Sequence, residues 1–435
     1  MKLFKKMAFT VLILLISTGA VFAGGGSQGG GSGGGAGGKK QVLTFLYDKS
    51  SAFEGIQAVI DAFEVKYNVE VELEVRPAGT EGDNIIKTRL ATGDMTDIFI
   101  YNTGSLLHAL NPERNLVDLT GESYYGNLDN AFVTAASVNN RLYGIPSASA
   151  MIGGWLYSKK IYKELGLQVP RTWAELLANL EKCKAAGKTG LLASYKESWT
   201  AQLIILSDEY NVKALAPNFP ADYTAGKAKY ATTPVALRGF QKYAETRAYL
   251  NSDFMATTYN DAMDMLINGK GVHWPMLTNA LSNMYALYGD KVDDIGVFGQ
   301  PGDDPNNQGL TVWATDGLYI YKNSPNVELA KKFFEFYVSE EGIKAFLSVV
   351  KPNGPMHIKN VSLPANVYEG VRDMLPYFNS GKTAPALEFE SPVKGPNLEQ
   401  LCIEVGSGNL TPQAGAAAYD ADVQKQAIQL GLSGW

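Results

Sequence analysis

An α/β fold built on parallel sheets is the architecture this sequence predicts, and three observations predict it. From Val42 onward, apolar stretches of strand length alternate with segments of helical period. The first five such segments run strand, helix, strand, helix, strand, an order that implies a parallel sheet with helices covering its faces. The chain has 435 residues, well beyond the roughly 50–250 of a single domain, so it has length for two lobes with their own cores.

The segments are read in chain order. Lys2, Lys5 and Lys6 precede an apolar run from Met7 to Ile16, and Val21-Phe22-Ala23 has the small-residue pattern of a cleavage site. The run is too short to span a bilayer, so residues 1–23 read as a secretory signal and the mature chain is expected to start near Gly24. Gly24 to Gly38 holds eleven glycines in fifteen positions, the composition of a flexible tether, and its formal G-x-G-x-x-G match has no strand before it or helix after it. The folded part is expected from Lys40. Val42–Tyr47 reads as a strand. Ser51 with Glu54 reads as a cap for a helix carrying Ile56, Val59, Ile60 and Phe63 at helical spacing. Val69–Val75 alternates apolar and acidic residues as a half-solvated strand does. Ile85–Ala91 is helical, Gly93-Asp94 breaks it, and Asp97–Tyr101 is a buried strand.

Further along, Trp155-Leu156-Tyr157 is of strand type. Thr172 with Glu175 forms a capping box at the start of a second helix after Val169-Pro170. Ser324-Pro325 followed by Glu328 reads as N-cap, proline at N1 and a helix to about Ser339, and Thr411-Pro412 opens another helix.

The stretch Trp155 to Glu197 resembles the family-1 extracellular solute-binding proteins of ABC importers, the group that includes maltose-binding protein. Lys159, Gly166, Leu167, Pro170, Thr172, Trp173, Glu175, Leu176, Lys184 and Gly187 fall in register with that family's pattern. The run from Ala91 to Asp97 and the segment Ser324 to Leu347 are similar to it as well. The resemblance implies a two-lobed clamshell, each lobe a mainly parallel sheet flanked by helices, with ligand held between the lobes. It implies lobe one at 40–148 plus 296–322 and lobe two at 149–295 plus 323–435. Three hinge crossings are then expected near Ile145–Ala150, Asp294–Gly296 and Tyr321–Ser324.

The formal net charge is −6, and removing residues 1–23 takes away three lysines and no acids, giving −9. An acidic exported chain without a basic stripe is a poor partner for nucleic acid or anionic membrane. Cys183 and Cys402 lie far from the cleavage site, so the lipid-anchoring cysteine of many relatives is missing, and a free, monomeric periplasmic protein is expected. His108, His273 and His357 lack metal-ligand spacing, no G-x-S-x-G elbow occurs in the folded part, and the paired acids at Asp293-Asp294, Asp303-Asp304 and Glu340-Glu341 read as caps and turns. Neither catalysis nor a cofactor or metal is expected. Tyr124-Tyr125 is similar to the adjacent tyrosines of iron-binding relatives but falls in the wrong segment.

Binding chemistry is better represented. Twenty-three tyrosines and six tryptophans supply rings on which the C–H faces of sugars pack, while amides and carboxylates pair with hydroxyls. By resemblance, ligand contacts are expected from Tyr101 and Asn102 after the third strand, from Glu197 and Trp199 in lobe two, and from Trp313 and Asp316 near the second interlobe path. In relatives a stacking Trp follows the Gly-Lys segment. Here Gly269-Lys270 leads through His273, where relatives carry Met, to Asn279 near the stacking position, so that ring is absent or comes from Trp274. Trp155 and Trp173 read as core. The implied function is capture of a di- or oligosaccharide by hinge closure and delivery to the membrane permease subunits of an ABC importer. Alternatives are a polyol, sugar phosphate or polyamine ligand, or an exported carbohydrate-active enzyme.

Overall fold

Strand β1 (Gln41–Asp48) starts the first sheet, and its inward residues Leu43 and Phe45 are fully buried. It pairs in parallel with β2 (Val69–Arg76) and β3 (Ile98–Asn102), the helices Glu54–Tyr67 and Gly79–Thr92 making the crossovers. In this computed structural model residues 40–48, 53–77 and 79–435 are described, and Lys40–Trp435 form one compact unit. The expected signal segment, cleavage site, glycine tether and Ser51 cap lie outside the described residues.

A short hairpin, β4 (Ser137–Val138) with β5 (Arg141–Leu142), precedes β6 (Gly144–Pro146), which is the far strand of the first sheet. The chain then enters the second sheet with β7 (Met151–Ser158), followed by β8 (Thr189–Leu191), β9 (Gly271–Leu277), β10 (Ile295–Gly299) and β11 (Leu310–Trp313). It returns to the first sheet as β12 (Asp316–Ile320), and β13 (Thr383–Pro385) completes the second. The orders are β2-β1-β3-β12-β6 and β13-β11-β7-β9-β8, with β10 also on β7. Each sheet keeps parallel pairs and gains antiparallel ones. β12 runs against both β3 and β6, and β7 runs against β9, β10 and β11.

These pairings correct the expected lobe boundaries. Residues 295–313 belong to the second sheet, because β10 and β11 fill one edge of β7 in succession and Phe298 stacks on Trp155, centroids 6.2 Å apart. Residues 327–349 belong with the first lobe. The helices Val327–Tyr337 and Glu340–Val349 bury Phe333, Phe336 and Phe346 against the helix Glu54–Tyr67, with Phe63 edge-on to Phe333 at 5.1 Å. The chain therefore passes from the first sheet to the second at 147–150 and back at 314–315. The third crossing follows residues 355–359, which still bond Asp129 and Asn127 of the first lobe and Ala150 at the hinge. The helix Glu369–Asn379 after it packs on β10.

Local signals hold closely. Thr172 Oγ1 accepts from Glu175 N at 3.2 Å, opening the helix Trp173–Ala185, while the Glu175 carboxylate reaches back to Arg171 N at 2.6 Å, one residue beyond the N-cap, so the reciprocal bond of the expected capping box is not made. Thr411 caps Pro412–Gln429 through Ala414 N. Ser324 does not cap. Its hydroxyl bonds Asp97 at 2.5 Å, and the helix starts at Val327 after Asn326. Trp155 and Trp173 are buried, as are both free cysteines. Among the described residues no helix is long and apolar enough to cross a membrane, and no three His, Cys, Asp or Glu side chains gather as metal ligands do.

Candidate binding cleft

The carboxyl end of β3 and the interlobe strand β12 meet at Asn102 and Asp316, which are register partners. This is where an open α/β sheet offers a crevice. Asn102 Nδ2 donates to Asp316 Oδ1 at 3.3 Å, and Thr315 Oγ1 donates to Asp316 Oδ2 at 3.0 Å. Thr103 N donates to Thr315 O at 2.9 Å, and its hydroxyl donates to Ala314 O, so the second crossing is tied to the tip of β3. Burial pushes the Asp316 carboxyl up to about 6; Thr315 and Arg76 oppose the shift and Asp48 adds to it. Behind this corner Asp48 and Arg76 form a buried ion pair at 2.8 Å.

Facing it is a cavity of about 470 Å³. Its first-lobe wall includes Lys87, Asn102, Thr103, Ser105, Leu106 and Thr315; its second-lobe wall includes Gln202, Glu388, Phe389, Lys394, Glu399 and Gln426. The second-lobe carboxylates are held by donors. Glu388 accepts from Trp313 Nε1 at 2.7 Å and from Lys394 Nζ at 2.8 Å. Glu399 accepts from Ser198 Oγ at 2.6 Å and Gln202 Nε2 at 3.3 Å, which joins the turn Ser198–Gln202 to the helix Leu398–Ser407. The two lobes touch beside the cavity. Gly104, at φ +60°, lies so near the Glu388–Phe389 backbone that a Cβ there would sit 2.5 Å from Glu388 O. Past Lys87 and Ala109 the cavity adjoins a hollow of about 210 Å³ that both residues also line.

The expected contacts fare unevenly. Asn102 lines the cavity, and Asp316 forms its corner through Asn102 and Thr315. Tyr101 does not line it. The ring is fully buried among Phe99, Leu107 and Tyr319, and burial holds its phenol far above the ordinary value. Strand alternation turns neighbours to opposite faces, so only one of Tyr101 and Asn102 can face the cleft. Trp313 is 3% exposed and stands behind Glu388. Glu197 Oε2 accepts from Tyr259 N at 2.8 Å, satisfying the start of the helix Tyr259–Ile267. Trp199 packs on Tyr259, centroids 5.8 Å apart, at the edge of the second-lobe core. Asn279 opens the helix Asn279–Tyr288 away from the cavity. Trp274 is buried in β9 and donates to Ser194 Oγ at 3.2 Å, so it supplies no cleft ring. His273 is a satisfied core histidine between Gly190 O and the Tyr162 hydroxyl, both at 2.7 Å, and burial lowers its pKa to about 4.

Sequence reading missed Gln202, Glu388, Lys394 and Glu399. For Glu388 and Lys394 the available signal was a charged stretch, Glu388 to Lys394, interrupted by Pro392 and bracketed by Pro385 and Pro396 between two helices, the setting of a functional loop.

Comparisons with known proteins agree with this architecture. The bacterial extracellular solute-binding protein family matches residues 47–344. A multiple sugar-binding protein of Streptococcus mutans is 25% identical over 334 residues, covering 74% of this chain and 76% of that protein. Among solved structures, a chitin oligosaccharide binding protein superposes with a TM-score of 0.73 at 18% identity, covering 89% of this chain and all of that one. RafE in complex with raffinose gives the same score and identity over 89% of this chain and 99% of its own. A family 1 extracellular solute-binding protein from Bifidobacterium longum subsp. infantis scores 0.71 at 20% identity, covering 89% of this chain and all of that one.

Proposed function

The chain belongs to the bacterial extracellular solute-binding proteins, a family of binding proteins rather than enzymes, and from that premise we propose that it captures a di- or oligosaccharide. The observation that carries this reading is the cleft, to which both lobes bring amides, hydroxyls and anchored carboxylates. Such groups pair with sugar hydroxyls, each of which donates one hydrogen bond and accepts others. The adjoining hollow past Lys87 gives a longer chain somewhere to run. The named likenesses to a multiple sugar-binding protein, a chitin oligosaccharide binding protein and a raffinose complex point the same way. A polyamine fits less well, because the Lys394 ammonium on Glu388 already brings a positive charge to that wall.

In the proposed mechanism, sugar contacts from both lobes favour the closed arrangement, which the permease subunits of an ABC importer recognise. In this reading the protein works as an exported periplasmic monomer. A thermal-shift screen over mono- and oligosaccharides, polyols and polyamines tests the ligand class. A ligand at 100 times its Kd adds about 2.7 kcal/mol of stability, so one or more oligosaccharides are expected to raise the melting temperature clearly. A shift given only by polyamines or polyols overturns the sugar reading, and hydrolysis of the sugar in a parallel turnover assay overturns the binding-only role.

A further inference from the structure

Glu388 and Lys394 both line the cleft, and their side chains are 21% and 29% exposed. Glu388 is oriented from behind. Its Oε1 receives the Trp313 indole N–H at 2.7 Å and its Oε2 receives the Lys394 ammonium at 2.8 Å. Trp313 itself is buried and does not reach the cavity. Each carboxylate oxygen accepts about two hydrogen bonds and the ammonium carries three donors. One acceptor direction on each oxygen and two N–H groups therefore remain for a ligand, side by side on one wall.

That pattern fits two adjacent hydroxyls on one sugar ring. One donates to Oε2 while accepting from Lys394, and its neighbour donates to Oε1. Resting on the sugar reading above, we propose that Glu388 and Lys394 form a subsite for a vicinal diol, and that Trp313 is a positioning residue acting through Glu388. A charged ligand matches this wall poorly: an anion meets the Glu388 carboxylate, and a cation competes with Lys394. A sugar carrying a substituent on either hydroxyl loses one arm of the grip. Hydrogen bonds to charged groups are the stronger kind, so selectivity concentrates here.

The test is calorimetry with whichever of maltotriose, raffinose, chitotriose and xylotriose gives the largest thermal shift, together with its monodeoxy analogues. Wild type is expected to bind two analogues, lacking neighbouring hydroxyls, about tenfold or more weakly than the parent. Glu388→Gln weakens parent binding by a similar factor and erases that preference. Trp313→Phe keeps a ring and removes the N–H; it weakens binding roughly three- to tenfold, and adds nothing in the Glu388→Gln background, as coupled residues do. A merely structural Trp313 lowers the melting temperature without altering the preference between parent and analogue. Equal discrimination by wild type and Glu388→Gln, or losses for Trp313→Phe and Glu388→Gln that multiply, overturns the subsite while leaving the sugar reading intact. Wild type needs no variant to fail: indifference to every deoxy analogue also overturns it. If no oligosaccharide of the panel binds at all, both readings fall.

Discussion

Substituting Gly104 separates the stability of the lobes from their closure. The residue opens the turn Gly104–His108 at φ +60°, and an added Cβ would stand 2.5 Å from Glu388 O and 2.9 Å from Phe389 Cδ1. Two costs follow from Gly104→Ala, and they act on different states. A non-glycine residue in the left-handed region costs about 1–2 kcal/mol. The first lobe bears that cost whether the cleft is open or shut, so it lowers the melting temperature without changing affinity. The clash is with backbone of the other lobe, which cannot swing aside as a side-chain end does. Relieving it by a backbone shift costs about 1–3 kcal/mol, and only while the lobes touch. Sugar affinity should therefore fall roughly five- to hundredfold. Calorimetry measures the affinity, and solution scattering at saturating sugar should give a larger radius of gyration than wild type. If Gly104→Ala melts earlier yet keeps the wild-type Kd, the Gly104–Glu388 contact plays no part in the ligand-bound arrangement and the reasoning fails.

Two further outcomes are expected. Trp199→Ala removes a half-buried ring from its contact with Tyr259, so apo stability should drop by about 1–3 kcal/mol with the sugar Kd unchanged, and calorimetry that finds tenfold weaker binding would restore Trp199 to the cleft. His273 has a buried, depressed pKa of about 4 against an ordinary 6.5. Its neutral form stabilises the fold fully above pH 6.5, and that stability is lost as pH falls from 6.5 through 4, on the order of 3 kcal/mol; urea unfolding across that window should show the loss in wild type and a flatter profile in His273→Gln.

The first-lobe series was legible because its signals are local. β1, β2 and β3 appear within a residue or two of the stretches that alternate or run apolar. The caps at Thr172 and Thr411 needed only neighbours in sequence. The core roles of Trp155 and Trp173 were equally plain, since large apolar side chains within periodic segments bury themselves. The lining of the candidate cleft was legible only in part. Asn102 and Asp316 were placed by their positions at a strand end and a crossing, but the choice between Tyr101 and Asn102 turned on which strand face looks toward the other lobe.

What sequence alone determined about this protein is thus its class, its local elements and its family. The tertiary structure decided which sheet each later strand joins, and which residues line the cleft. β10 and β11 could have extended either sheet; they lie on β7 because its edge was open and Trp155 offered Phe298 a ring to stack on. The helices at 327–349 returned to the first lobe because the helix Glu54–Tyr67, nearly 300 residues earlier, presented the apolar face that Phe333 and Phe346 cover. Glu388 and Glu399 look like ordinary surface acids until Trp313, Lys394, Ser198 and Gln202 arrive from distant segments to orient them. Strand pairing, face-to-face packing and the anchoring of a carboxylate are contacts between residues far apart in the chain, and no pattern within a short window records them.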